Sequence, residues 1–258
     1  MADHDPTNLL VVDFDFFFPS PDPGTSDDWV LFDWAHQESR TFIEAIWPSR
    51  AAEFLLNGLP LPGLTADPAE QSPTGFWDRV RVDADADVWV AESNARVLNR
   101  LRDVGQVWLF DAHHDAGYPH SPDEAADLAS RASDRTAPWE CGSWMVPMQA
   151  QGAELHHRYP VWRTAAFELE PEPVVPVDRA FDDGTVPPVV FDAVFVCRSG
   201  AWVPPWHDQA FIDFVNACPA SNHESLATPY DPMTPRTFDP DAALHSAEQR
   251  RILLGGTP

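Results

Sequence analysis

Five residues at two strand ends have the types and spacing to hold a divalent cation. Asp111, His113 and Asp115 follow the apolar run Val107–Phe110, and Asp13 and Asp15 interrupt a second apolar run over residues 9–18. Side chains of an extended chain alternate faces, so residues two apart share a side, about 6.5–7 Å from one another. A cation or cation pair bridges that distance once the strand end curls. Burying like charges together without a counter-ion is costly, and no basic residue is near Asp13 and Asp15 in sequence. The alternative is a set of carboxylates satisfied by loop N–H groups or acting as helix caps. Oxygen ligands with one imidazole and no placed thiolate favour Mn2+ ahead of Zn2+, Fe2+ or Mg2+. Four carboxylates and a histidine exceed the needs of one ion, which points to two ions about 3.5–4 Å apart.

The elements that carry these residues follow from hydrophobic patterning. Residues 9–18, 88–91, 107–111 and 190–196 read as buried strands, apolar on both faces. Helices are expected over about 38–57, broken or kinked at Pro48, from a Ser93 or Asn94 cap to about Arg102, over 122–133 behind a Ser121 capping box, and over 207–217. Met145 lies in a further buried segment. Loops are expected at Pro19–Gly24 and over 58–75. Alternating strands and helices imply an α/β fold, a three-layer sandwich built on a mainly parallel sheet. Ligands of such sheets sit beyond the C-terminal strand ends, where Asp13, Asp15, Glu92, Asp111, His113 and Asp115 all fall. A single domain spans 1–218, with 168–190 as a surface excursion and 219–258 as a Pro-rich tail packing on or extending from it.

Composition narrows the partners. The 258-residue chain carries 41 acidic and 16 basic residues, a formal charge of −25, and every basic residue is Arg. Without a basic stripe, nucleic-acid binding is excluded, whereas cationic ligands are compatible. No apolar stretch approaches the roughly 20 residues of a membrane span. Three cysteines with no Cys-x-x-Cys spacing exclude a zinc ribbon and fit a reducing cytoplasm. No phosphate loop, dinucleotide fingerprint or nucleophile elbow is present, and Ser199 has no adjacent base motif. Arg198 is expected to hold a structural aspartate in preference to a substrate carboxylate. The oligomeric state is not encoded in any readable motif.

Asp-Ala-His-His-Asp (111–115) resembles the Asp-x-His-x-Asp motif of the arginase, or ureohydrolase, superfamily, and Val-Asp-Phe-Asp (12–15) is similar to its Asp-x-Asp motif. Their order is reversed, as in a circular permutation or a divergent branch, and Gly-Ser-Trp-Met (142–145) is similar to the branch of peptide arginases. The resemblance implies an arginase-like fold, with Asp13, Asp15, Asp111, His113 and Asp115 as ligands of Mn2+. It implies hydrolysis of a guanidinium C–N bond with release of urea, from a cationic small molecule or an arginine-containing peptide. Asp115 would relay the proton, with His114 and His120 as the candidate shuttles. Where the family has a further histidine ligand this chain has Glu92, either a replacement ligand or a contact to the substrate cation. Asn94, His120, Glu140 and Trp144 complete the candidate substrate contacts. The alternatives are a deacetylase-type amidohydrolase and an inactive, metal-stabilised binding protein.

Overall fold

The structure, a computed structural model, describes residues 7–18, 39–61, 63, 73–163, 170–228 and 231–253. Its frame is one sheet of β1 (Thr7–Asp13), β2 (Val82–Ala91), β3 (Val104–Phe110), β4 (Glu154–Tyr159), β5 (Asp178–Phe181), β6 (Phe191–Cys197) and β7 (Asn222–Leu226). The strand order is β5-β4-β3-β1-β6-β2-β7, and every pairing is parallel. Helices α1 (Arg40–Leu56), α2 (Pro122–Arg131), α3 (Met145–Ala150), α4 (Asp208–Asn216) and α5 (Pro240–Leu253) flank it. The helix-covered parallel α/β sheet expected from the strand patterning is therefore present.

The period of two sorts each central strand between two cores. Leu10 and Val12 of β1 join Val88, Val90, Phe110, Val194 and Val196 on one face. Phe14, Phe16, Phe17, Phe76, Phe211 and Phe214 complete that face as a set of mostly edge-on aromatic rings. Leu9 and Val11 point the other way, with Leu109, Phe195, Met145 and Val146. Burial on both faces is why the central strands read as unbroken apolar runs.

Several elements depart from the sequence reading. Helix α1 continues through Pro48, while Ile46 and Trp47 are buried and the Trp47 indole donates to the Gly200 carbonyl at 2.7 Å. The expected helix after Ser93 is a single 3₁₀ segment, Asn94–Asn99, with the Ser93 hydroxyl accepting from the Ala95 N–H. The acidic run at 83–87 belongs to β2, where Asp83, Asp85 and Asp87 face solvent. The 170–190 part of the expected excursion supplies edge strand β5, and the segment after 219 supplies edge strand β7 and helix α5. The loop at Pro19–Gly24, and 62 and 64–72 of the loop over 58–75, lie outside the described residues, as do 168 and 169.

Candidate metal centre

Register places the acidic residues side by side. Val12 pairs with Phe110 of β3 and with Val196 of β6, while Asp13 and Ala91 both pair with Cys197. The residues that leave β1, β3, β6 and β2 thus share one rim at the sheet's C-terminal edge. Strand β3 ends at Phe110, so Asp111–Asp115 form a loop, and the curl needed to bring alternate residues together is supplied there. Asp15 sits in a 3₁₀ turn, Phe14–Phe17, and its own N–H donates to Asp13 Oδ1 at 3.2 Å.

Asp15, Asp111 and His113 offer ligand atoms that all lie within 4.8 Å of one another. His113 Nδ1 is 3.0 Å from Asp15 Oδ2 and 3.5 Å from Asp111 Oδ1. Asp15 Oδ2 is buried, and its contact to His113 falls short of a well-formed hydrogen bond. A buried carboxylate oxygen left in that state fits a cation ligand.

Asp13 and Asp115 converge on a different point, the Asn94 amide. Its Nδ2 lies 2.8 Å from Asp13 Oδ2, 3.0 Å from Asp115 Oδ2 and 3.2 Å from Asp111 Oδ2. The Ser199 hydroxyl donates to Asp13 Oδ2 at 2.6 Å, and the Trp144 indole donates to Asp115 Oδ2 at 2.7 Å. Ser199 and Asp115 hold positive φ angles of 52° and 50°. Backbone held in this sparsely populated region concentrates at functional sites, and both residues touch the cluster.

The electrostatics of the ion-free site are unfavourable. Burial raises Asp13 and Asp111 well above the ordinary carboxylate range, and mutual repulsion among the aspartates adds to it. Asp115 is pushed up to about 7, again chiefly by burial. Burial acts on Asp15 in the same direction, but the adjacent His113 and the hydrogen bonds from Asp111 and the Ala112 N–H outweigh it and hold Asp15 low. A divalent cation would reverse this repulsion, since it favours the ionised form of every carboxylate around it.

Glu92 is engaged elsewhere. Its Oε2 accepts from Arg198 Nε at 2.8 Å and lies 2.6 Å from Nη2 as an ion pair, and its Oε1 accepts from the Gly200 N–H at 2.8 Å. Both side chains are fully buried. Asp208 shares Arg198 with Glu92 and also binds Arg236, so the network ties the 231–238 segment to the sheet. Arg198 therefore serves the structural role expected of it, and Glu92 is not among the clustered ligand atoms.

The remaining candidates separate. His114 is buried, donates from Nε2 to the Pro171 carbonyl and accepts at Nδ1 from the Ala116 N–H. Burial lowers its pKa, so it is a neutral structural ring stacked on Tyr118. His120 is exposed just ahead of α2, and Glu140 is exposed ahead of the 3₁₀ turn Cys141–Ser143. Trp144 is fully buried beneath Asp115 and orients that carboxylate. Sequence reading missed two contributors. Ser199 leaves β6 on the same rim, a positional signal that was legible, and Tyr118 accepts from the N–H groups of His114 and Asp115 while donating to Glu170.

No protein-family model matches the chain, and no solved structure does. Among curated proteins it is similar to the 3-deoxy-manno-octulosonate cytidylyltransferase of Xanthomonas campestris pv. campestris (strain B100), 26% identical over 242 residues. The alignment spans 84% of this chain and 79% of that protein. This similarity runs over most of the chain, whereas the ureohydrolase resemblance rested on two short motifs in reversed order and the four residues 142–145. It overturns that resemblance, and with it guanidinium hydrolysis, urea release, the peptide-arginase assignment and the hydrolase class. The cationic small molecule or arginine-containing peptide expected as substrate loses its support with them. The Asp-x-Asp and Asp-x-His-x-Asp patterns report a strand-end carboxylate site, which unrelated reactions can share. Among the described residues no helix is long and apolar enough to cross a membrane.

Proposed function

We propose that the strand-end cluster binds divalent cations, Mn2+ or Mg2+, through Asp15, Asp111 and His113, and that the chain is a metal-dependent nucleotidyltransferase. The observation that carries the cation site is the convergence of those three ligand atoms within 4.8 Å in a buried setting. The reaction class is supported by the similarity to a cytidylyltransferase over most of the chain. A cation there would offset the charge of a nucleoside triphosphate and polarise the phosphorus under attack. The chain's formal charge of −25 opposes a triphosphate, so binding of such a substrate depends on the cation.

The chain's own groups then divide the work. Trp144 and Asn94 fix the Asp115 carboxylate by donating to its Oδ2, and the Ser199 hydroxyl fixes Asp13. A cytoplasmic location fits the three cysteines with no paired spacing.

Pyrophosphate release tests the reading. Purified protein is incubated with each of the four nucleoside triphosphates and a panel of acidic sugars, with Mg2+, with Mn2+ and with chelator. Cation-dependent release with one nucleotide, lost in Asp111→Asn, is the expected result. Cation binding by calorimetry without release from any nucleotide would sink the transferase reading and leave the metal site standing.

A further inference from the structure

The Asn94 side chain is buried at the centre of the carboxylates, yet its hydrogen bonding does not balance. Its Nδ2 carries two protons and faces three carboxylate oxygens at 2.8, 3.0 and 3.2 Å. One of the three contacts therefore receives no proton from it. The other amide atom, Oδ1, is buried and accepts no hydrogen bond. Donor capacity is exceeded on one side of the amide while an acceptor goes unused on the other. The two amide atoms are nearly identical in shape, so a half-turn about the terminal torsion exchanges them without new packing.

We infer that Asn94 is a two-position ligand of a second cation site, distinct from the Asp15, Asp111 and His113 group. Without an ion, the partly positive Nδ2 supplies the positive pole that Asp13, Asp111 and Asp115 face. With an ion, the amide turns and presents Oδ1, giving three carboxylate oxygens and one amide oxygen. Oxygen ligands of divalent cations sit at about 2.0–2.6 Å. A cation seated between the turned Oδ1 and the three carboxylate oxygens, which now lie 2.8–3.2 Å from the amide nitrogen, comes within that range of all four by small side-chain torsions. Asp111 faces both sites, with Oδ1 toward His113 and Oδ2 toward Asn94, so the two ions would share it. Through that shared residue the inference rests on the cation reading above, and it adds the site's second half and the residue that admits the ion.

Calorimetric titration with Mn2+ of wild type, Asp15→Asn, Asn94→Leu and Asn94→Asp tests it, with thermal melting of each variant with and without the ion. Wild type is expected to bind two ions. Asp15→Asn should lose one and keep the other, whereas Asn94→Leu should lose the ion that Asp15→Asn keeps, or weaken it at least tenfold. Asn94→Asp retains the ligand oxygen and adds charge, so its second ion should bind at least tenfold more tightly. This variant decides the matter if Asn94→Leu does not fold. Two ions with unchanged affinities in Asn94→Leu, or an unchanged second affinity in Asn94→Asp, overturn the role of Asn94 while the first site stands. A single ion in wild type, abolished by Asp15→Asn, overturns the second site alone. No ion in wild type overturns both sites together.

Discussion

Replacing Glu92 by Gln separates a structural carboxylate from a ligand. Its two oxygens accept from Arg198 on one side and from the Gly200 N–H on the other, and every atom involved is buried. A glutamine keeps one acceptor and gains two donors. Whichever way its amide faces, a donor meets either the guanidinium or the Gly200 N–H, and one buried donor loses its acceptor. That mismatch costs about 1–3 kcal/mol. Arg198 also loses a counter-charge and retains only Asp208, at 3.3 Å. Breaking a buried pair by neutralising one partner costs about 3–5 kcal/mol in all, and Glu92→Gln should fall in that range. Urea unfolding followed by tryptophan fluorescence measures the loss. The folded fraction of Glu92→Gln should bind Mn2+ as wild type does. A loss below about 1 kcal/mol combined with abolished Mn2+ binding would refute the argument, because Glu92 would then serve the ion and not Arg198. Gly200→Ala reaches the same network from its other side, since a Cβ there would lie 1.9 Å from Glu92 Oε1.

Two further outcomes follow from the site's electrostatics and its support. Asp115 has a folded pKa near 7, above its unfolded value, so the folded state holds an extra proton between about pH 4 and 7. In chelator the protein should lose stability as pH rises through that window, by up to roughly 4 kcal/mol from Asp115, and saturating Mn2+ should remove the trend. Ion-free stability that climbs over the same range contradicts the carboxylate repulsion described. Tyr118→Phe removes the hydroxyl that accepts from two loop N–H groups and donates to Glu170. It should cost about 1–3 kcal/mol and weaken Mn2+ binding by loosening Asp115, and unchanged affinity would show that the loop holds its shape without Tyr118.

The strand ends were legible because burial on both faces leaves an unmistakable apolar run, and a carboxylate that closes such a run is conspicuous. Asp15, Asp111 and His113 were found on that ground. Glu92 looked equivalent in sequence, at the end of an equally apolar strand. Its role is set by Arg198, more than a hundred residues away, and only the pairing of β2 with β6 reveals it. Asn94 was read as a helix cap or substrate contact because its three carboxylate partners come from two other strand ends. Strands β4 and β5 escaped notice because β4 is mostly polar, with His157 in its buried row, and β5 is only four residues long. Reaction class was least legible, since short ligand motifs recur wherever a parallel sheet ends in a metal site.

The place of β1 at the middle of the sheet has a consequence during synthesis. The strand emerges first, apolar on both sides, yet its neighbour β6 begins only at Phe191. At typical elongation rates of 5–20 residues per second, roughly 10–40 s separate the two. For that interval the nascent chain carries a sticky ribbon with an open edge, and the Asp13 and Asp15 carboxylates at its tip have no cluster to join. Yield in cells should therefore depend on chaperone supply, and fragments that stop short of Phe191 should aggregate.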